Sequence, residues 1–307
     1  MKETAFRWNG RIDSKSEWTS FRYHQIIKEG GDQASACVLI GFSCDEGVRR
    51  NNGRIGAKEA PDALRSALVN TVWRLPIGNY LFDAGNVECV DEKMETAQQA
   101  LGEVVKENLE KGGMPVILGG GHETLYGHYL GARAFLGEDK KLGIINIDAH
   151  FDMRSYDQQS SSGTMFRQIL ENDSNAGYLV LGIQRFGNTE SLFQKADELG
   201  CEYICEDELN ADNVAEAMKS FIKRHDAIIV TLCMDVVDAA AAPGVSAPSP
   251  FGLEPKIVRT IIREAVSDMK TISFDIAEVN PSLDPDGRTV KLGAAFVNEA
   301  VMAFTAK

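Results

Sequence analysis

LGIINIDAHFDMR, Leu142 to Arg154, is the stretch that decides how the chain folds. Its first half is a continuous apolar run, the mark of a strand buried on both faces of a parallel sheet. Its second half turns polar abruptly, with Asp148, His150 and Asp152 at i, i+2 and i+4. In extended backbone that spacing sets all three on one face. Similar runs lie at Ala36 to Ser43, Pro115 to Gly119, Tyr178 to Ile183, Ala227 to Asp235 and Thr271 to Val279, with a weaker one near Tyr203. Helical patterns separate them, at Pro61 to Val69, Glu92 to Lys111, Glu123 to Phe135, Glu190 to Leu199, Asp212 to Arg224, Glu254 to Met269 and Val290 to Ala303. Such alternation predicts βαβ units with right-handed crossovers, hence an α/β fold with helices on both faces of a mostly parallel sheet. No Pro/Ser-rich linker, charge block or repeat divides the chain. A single domain over residues 1–307 is expected, with residues 1–35 as an N-terminal extension packed on it.

In an open α/β sheet the ligand site lies beyond the carboxyl ends of the strands. Four of those ends are unusually polar. Leu142 to Asp148 runs into His150 and Asp152, and Ala227 to Asp235 ends on Cys233 and Asp235. Pro115 to Gly119 passes through Gly120 and Gly121 to His122, at the mouth of a helix, while Thr271 to Val279 carries Asp275 and Glu278. Taken singly, such Asp residues cap helices and such His residues are structural groups. Together, three carboxylates, two imidazoles and a thiol make a metal-site constellation. Gathering Asp148, Asp152 and Asp235 without cations would crowd like charges and raise their pKa values, which divalent ions relieve. HExxH, EF-hand, Walker A and GxSxG patterns are absent, so the common alternatives lack a motif.

The remaining composition narrows the function classes. The 307 residues carry 32 Lys+Arg against 45 Asp+Glu, a net charge of −13, with 44% hydrophobic residues. That balance describes a globular chain and argues against nucleic acid as the main partner, since phosphate recognition needs clustered Lys and Arg. The longest apolar stretch contains Asp235 and falls short of the roughly 20 residues of a bilayer span. MKETAFRWNGRIDSK at the N-terminus lacks the apolar core of a signal peptide, so a cytoplasmic location is expected and no membrane partner. Six scattered cysteines read as free thiols, not a disulfide framework. Cys233 stands apart because it occupies one of the polar strand ends.

The blocks Gly-Gly-Gly-His122, Asp148-Ala-His150-Phe-Asp152, Asp235 with the following Ala-Pro243-Gly244, and Glu278-Val-Asn-Pro281 resemble the signatures of the arginase/agmatinase (ureohydrolase) superfamily, in the family's order. The resemblance runs from about residue 40 to the C-terminus. It implies a central, mostly parallel sheet of about eight strands and a binuclear manganese site that hydrolyses a guanidino or amidino C–N bond. Within the superfamily the likeness is to the formimidoylglutamases of histidine degradation, through CDEGVRRNNGRIGA (Cys44 to Ala57), SSGTMFRQI (Ser161 to Ile169) and APGVSAPSPFGL (Ala242 to Leu253). That likeness implies N-formimidoyl-L-glutamate as the small-molecule substrate, cleaved to L-glutamate and formamide by a metal-bridging hydroxide. It also implies that Ser162 stands where arginases and agmatinases carry a His, so a His proton relay is missing there. Family members are commonly trimers or hexamers, which makes a homo-oligomer the expectation.

Carried over residue by residue, the resemblance puts one Mn2+ on His122, Asp148 and Asp152 and the other on Asp148, His150 and Asp235. Asp148 would bridge, Asp152 would shuttle a proton, and Glu278 would pair with the protonated amidine. The family's second bridging Asp is Cys233 here. Three readings of that thiol stay open: a bridging thiolate, which suits zinc or iron better than manganese, a protonated thiol beside a weakly held metal, or a buried strand residue. The substrate's two carboxylates call for cations. Arg154, two residues past Asp152, suits bidentate carboxylate binding, with Ser162 beside it and Arg49, Arg50 and Arg54 as further candidates. Two alternatives remain: another ureohydrolase, such as a guanidino-acid hydrolase or agmatinase, and a metal-impaired, non-catalytic homologue.

Overall fold

The apolar runs form strands, and parallel pairing brings their carboxyl ends to one edge. The computed structural model describes residues 6–29, 36–75, 78 and 80–307. The strands are β1 (Ile27–Glu29), β2 (Cys37–Ser43), β3 (Leu81–Glu88), β4 (Met114–Leu118), β5 (Leu142–Ile147), β6 (Ala176–Ile183), β7 (Glu202–Cys205), β8 (Ala227–Cys233) and β9 (Thr271–Ala277). They form a nine-stranded sheet in the order β1-β3-β2-β4-β9-β8-β5-β6-β7, and every pairing is parallel. The four strands whose ends drew attention, β4, β9, β8 and β5, are consecutive in that order.

The helices are α1 (Tyr23–Ile26), α2 (Glu46–Arg50), α3 (Ala60–Leu68), α4 (Met94–Glu110), α5 (Thr124–Leu136), α6 (Met165–Asn172), α7 (Glu190–Glu198), α8 (Ala211–Lys223), α9 (Pro255–Ser267) and α10 (Arg288–Thr305). One core joins α3, α8, α9 and α10 to Ile145, Ile147, Val230, Leu232, Phe274 and Ile276. On the opposite face α4 packs on Val38, Ile40 and Ile117, and α5 to α7 pack on Ile144, Val180 and Ile229. Three layers result, as expected of a sheet buried on both faces. Among the described residues no helix is long and apolar enough to cross a membrane.

Two strands escape the apolar pattern. The inward Asp83 of β3 is buried because Arg65, itself fully buried, donates to both its carboxylate oxygens at 2.9 and 2.8 Å. A paired buried charge is tolerable where a lone one is not. β1 is only three residues long. Of the expected extension over residues 1–35, residues 1–5 and 30–35 lie outside the described residues. The described part is knitted into the fold: Tyr23 and Ile26 are buried, the Trp8 indole donates to Asp83 at 2.9 Å, and β1 pairs with β3. All six cysteines are free.

Candidate metal centre

Past Ile147 the chain leaves the sheet, so the polar triplet converges by turning and not by extension. The Asp148 carboxylate accepts from the His150 backbone N–H at 2.8 Å, an Asx turn, and Asn188 pins the loop by accepting from the Phe151 N–H and donating to the Ala149 carbonyl. Asp152 then adopts φ +50°, in the left-handed region that non-glycine residues seldom occupy. Past β8 a 3₁₀ turn over Met234–Val236 likewise swings Asp235 round towards Asp148.

The glycine turn after β4 answers to a different constraint. A Cβ on Gly120 would lie 1.8 Å from the Cys44 carbonyl oxygen, so only glycine lets the two backbones pass. The Gly120 carbonyl accepts from the Glu278 N–H at 2.8 Å, and the Glu278 carboxylate accepts from the His122 N–H at 3.0 Å. Glu278 has φ +68°. Two of the candidate site residues thus sit in strained backbone, which persists only where the surroundings hold it.

The donor atoms form two groups that share Asp148. His122, Asp148 and Cys233 make one, and Asp148, His150 and Asp235 the other, each with its ligand atoms within 4.8 Å of one another. His122 Nδ1 lies 3.1 Å from Asp148 Oδ2 and 2.9 Å from Asp152 Oδ2. His150 Nδ1 lies 3.1 Å from Asp235 Oδ2. Asp235 Oδ1 is buried with no hydrogen-bond partner among the described residues.

The electrostatics are those of a site short of cations. Burial alone would lower the pKa of His122, but Asp148 and Asp152 beside it raise it well above the ordinary value. For His150, burial is likewise outweighed by Asp235 and Asp148. Asp148 would be raised by burial, yet its two imidazole partners hold it far below the usual carboxylate range. Burial, then the charge of Asp148, raises Asp152. Burial, then Glu123 and Asp235, pushes Glu278 up to about 8. Cys233 is raised by burial and by the surrounding carboxylates. In the absence of metal, protons on the two imidazoles would offset part of the carboxylate charge. Divalent cations at the same positions would do so more fully.

The expected residues are not all together. His122, His150, Asp152, Cys233, Asp235 and Glu278 line one cleft together with the buried Ser162 and with Asn51, and the exposed Arg154 stands at its rim. Arg154 is exposed, and its guanidinium makes no hydrogen bond or ion pair among the described residues. Arg54 is turned away: its guanidinium donates to the carbonyls of Ser246 at 2.9 Å and Val245 at 2.8 Å, bracing the loop that forms the far wall. Arg49 and Arg50 pair with Glu46, and Arg50 also with Glu95. Asp275 lies under the cleft, bonded to His128 and Thr231. Asn51, Asn188, Thr231 and His128 were not anticipated. Thr231 had a signal, since a polar residue within an apolar strand needs a buried partner, whereas His128 lies on α5 and had none.

Comparison with known proteins agrees with the geometry. The family model described as Arginase family matches residues 35–303. A formimidoylglutamase of Geobacillus thermodenitrificans is 54% identical over 308 residues, spanning 97% of this chain and 95% of that one. Among solved structures, formimidoylglutamase from Bacillus subtilis superposes with a TM-score of 0.85 at 21% identity, covering 97% of this chain and 96% of that one. Trypanosoma cruzi formiminoglutamase with Mn2+ superposes with a TM-score of 0.81 at 24% identity, covering 89% and 94%.

Proposed function

The chain belongs to the arginase family, and we propose that it hydrolyses N-formimidoyl-L-glutamate to L-glutamate and formamide with two manganese ions held at the β4, β5, β8 and β9 ends. It is a hydrolase of the formimidoylglutamase type. The observation that carries the proposal is the pair of donor groups sharing Asp148. The donor chemistry fits: the carboxylates suit manganese, the imidazoles bind first-row divalent ions generally, and the orphaned Asp235 Oδ1 is a buried acceptor awaiting a cation.

His122, Asp148 and Asp152 would hold one ion, and Asp148, His150 and Asp235 the other. Cys233, grouped with His122 and Asp148, is proposed as a further ligand. Bound there, two divalent ions would acidify water and so supply a nucleophile near neutral pH. Asp152, facing the cleft, accepts the proton of that water. Glu278 pairs with the protonated amidine, whose positive charge favours its ionised form, and holds the carbon in line for attack. Water oxygen adds to the amidine carbon, the glutamate nitrogen takes a proton, and the C–N bond to it breaks, leaving formamide. Arg154, free at the rim, takes a substrate carboxylate, with Ser162 beside it. A cytoplasmic homo-oligomer is part of the same reading.

Manganese-loaded protein offered formiminoglutamate, arginine, agmatine and 4-guanidinobutyrate separates the candidates. The expected result is formamide from the first, with urea release from the others at least about 100-fold less efficient, given what buried polar groups left unpaired cost a wrong substrate. Comparable urea release would reassign the chain to another ureohydrolase. Absence of bound metal would favour a non-catalytic role.

A further inference from the structure

Behind the cleft, polar residues lie in register across three apolar strands: Asn146 on β5, Thr231 on β8 and Asp275 on β9. Asn146 donates to Asp148 Oδ2 and, from the same nitrogen, to the Tyr178 hydroxyl oxygen, both at 3.0 Å. The other two lead elsewhere. The Thr231 hydroxyl donates to Asp275 Oδ1 at 2.7 Å, and His122 Nε2 lies 3.1 Å from that same hydroxyl oxygen. On the far side Asp275 Oδ2 lies 2.6 Å from His128 Nδ1, and His128 Nε2 lies 2.5 Å from Ser273 Oγ. His128 comes from α5, and all five side chains are buried.

From this arrangement we infer that Thr231, Asp275 and His128 form a positioning relay that fixes which ring nitrogen of His122 is offered to a metal. A hydroxyl has one proton to give, and that of Thr231 is committed to Asp275. Its oxygen can then only accept from His122, so Nε2 carries a proton and Nδ1, which faces Asp148 and Asp152, is left as the ligand atom. His128, bonded to the other oxygen of Asp275, orients the carboxylate and keeps it accepting from Thr231. Ligating histidines are commonly held this way by the hydrogen bond at their second nitrogen, and losing the partner typically weakens metal binding by about 10- to 100-fold.

The inference rests on the reading that His122 is a ligand, and the test separates the two. Metal-stripped unmodified protein, Thr231→Val and Thr231→Ser are titrated with manganese alone by calorimetry, and unfolding midpoints are recorded without metal. The expected result is two sites in the unmodified protein. In Thr231→Val one of them is about 10- to 100-fold weaker, and in Thr231→Ser affinity is restored to within a few-fold. Unchanged affinity in a folded Thr231→Val protein overturns the relay. Should that variant fail to fold, ¹⁵N-histidine spectra of unmodified protein decide, zinc-loaded and metal-free at a pH high enough to leave His122 a single proton: Nε2 is expected to carry that proton in both. An unprotonated Nε2 in either form overturns the relay. If the unmodified protein bound no metal, the reading of the site would fail, while the metal-free spectrum would still report where the His122 proton sits.

Discussion

Replacing Arg154 with alanine should weaken substrate binding while leaving both the fold and the chemical step intact. The guanidinium is exposed and unpartnered among the described residues, so its loss should change stability by no more than about 0.5 kcal/mol. A hydrogen bond to a charged group is worth about 1.5–3 kcal/mol, whereas fully exposed ion pairs contribute only about 0–1. A side chain at the rim of a cleft falls at the lower end of the first range, about 1.5–2 kcal/mol, or a 10- to 30-fold rise in KM. Because the carboxylate that Arg154 is proposed to hold takes no part in the bond breaking, Arg154 would bind ground state and transition state alike, and kcat should change by less than about two-fold. Arg154→Lys should recover part of the loss, since an ammonium retains the charge without the planar fork. Added salt should raise KM of the unmodified enzyme more than that of the alanine variant. Formamide release at low ionic strength, measured over a range of formiminoglutamate concentrations, checks all of this. An Arg154→Ala enzyme with unchanged KM and unchanged salt dependence would refute the carboxylate anchor.

Glu278→Gln should lower kcat by at least about 100-fold, because it removes the charge proposed to pair with the amidinium. Elemental analysis should show unchanged metal content, since Glu278 lies outside both donor groups. Cys233→Asp replaces a soft donor by a hard one, and competition titrations should show the ratio of manganese to zinc affinity rising at least several-fold. Unchanged selectivity would place the Cys233 sulfur outside the metal sphere. The metal-stripped protein should lose stability as pH rises from 5 to 8. Burial pushes Glu123 up to about 7 and Glu278 up to about 8, and the carboxylates beside them hold His122 and His150 above their ordinary value despite burial. Each of these groups binds protons more tightly folded than unfolded, so the stability it contributes at low pH is lost as pH climbs through its folded pKa. Denaturant unfolding across that range, repeated with saturating manganese, should give a flatter profile for the loaded form.

Where a strand is buried on both faces, its apolar run announces it, and β2, β4, β5, β6, β8 and β9 were legible for that reason. β3 was not, because Asp83 and Asn86 read as loop residues until Arg65 supplies both with partners. The candidate ligands were legible as residue types at strand ends. How they converge was not, since an Asx turn at Asp148 and left-handed backbone at Asp152 do what extended chain was expected to do. A guanidinium near a cleft says nothing by itself about where it points: Arg154 stands free while Arg54 is taken up by two carbonyls. Alternate polar positions in β8 and β9 held the clearest unread signal. Thr231 and Asp275 share the face of Cys233 and pair directly across the ladder, which only the register reveals.

The most direct test is turnover against metal equivalents. Metal-stripped enzyme receives manganese stepwise while formamide from formiminoglutamate is followed. Two ions sharing Asp148 require activity to be absent without metal and to reach its plateau at two equivalents per chain. A plateau at one equivalent, or formamide release from the metal-free protein, would contradict a binuclear centre.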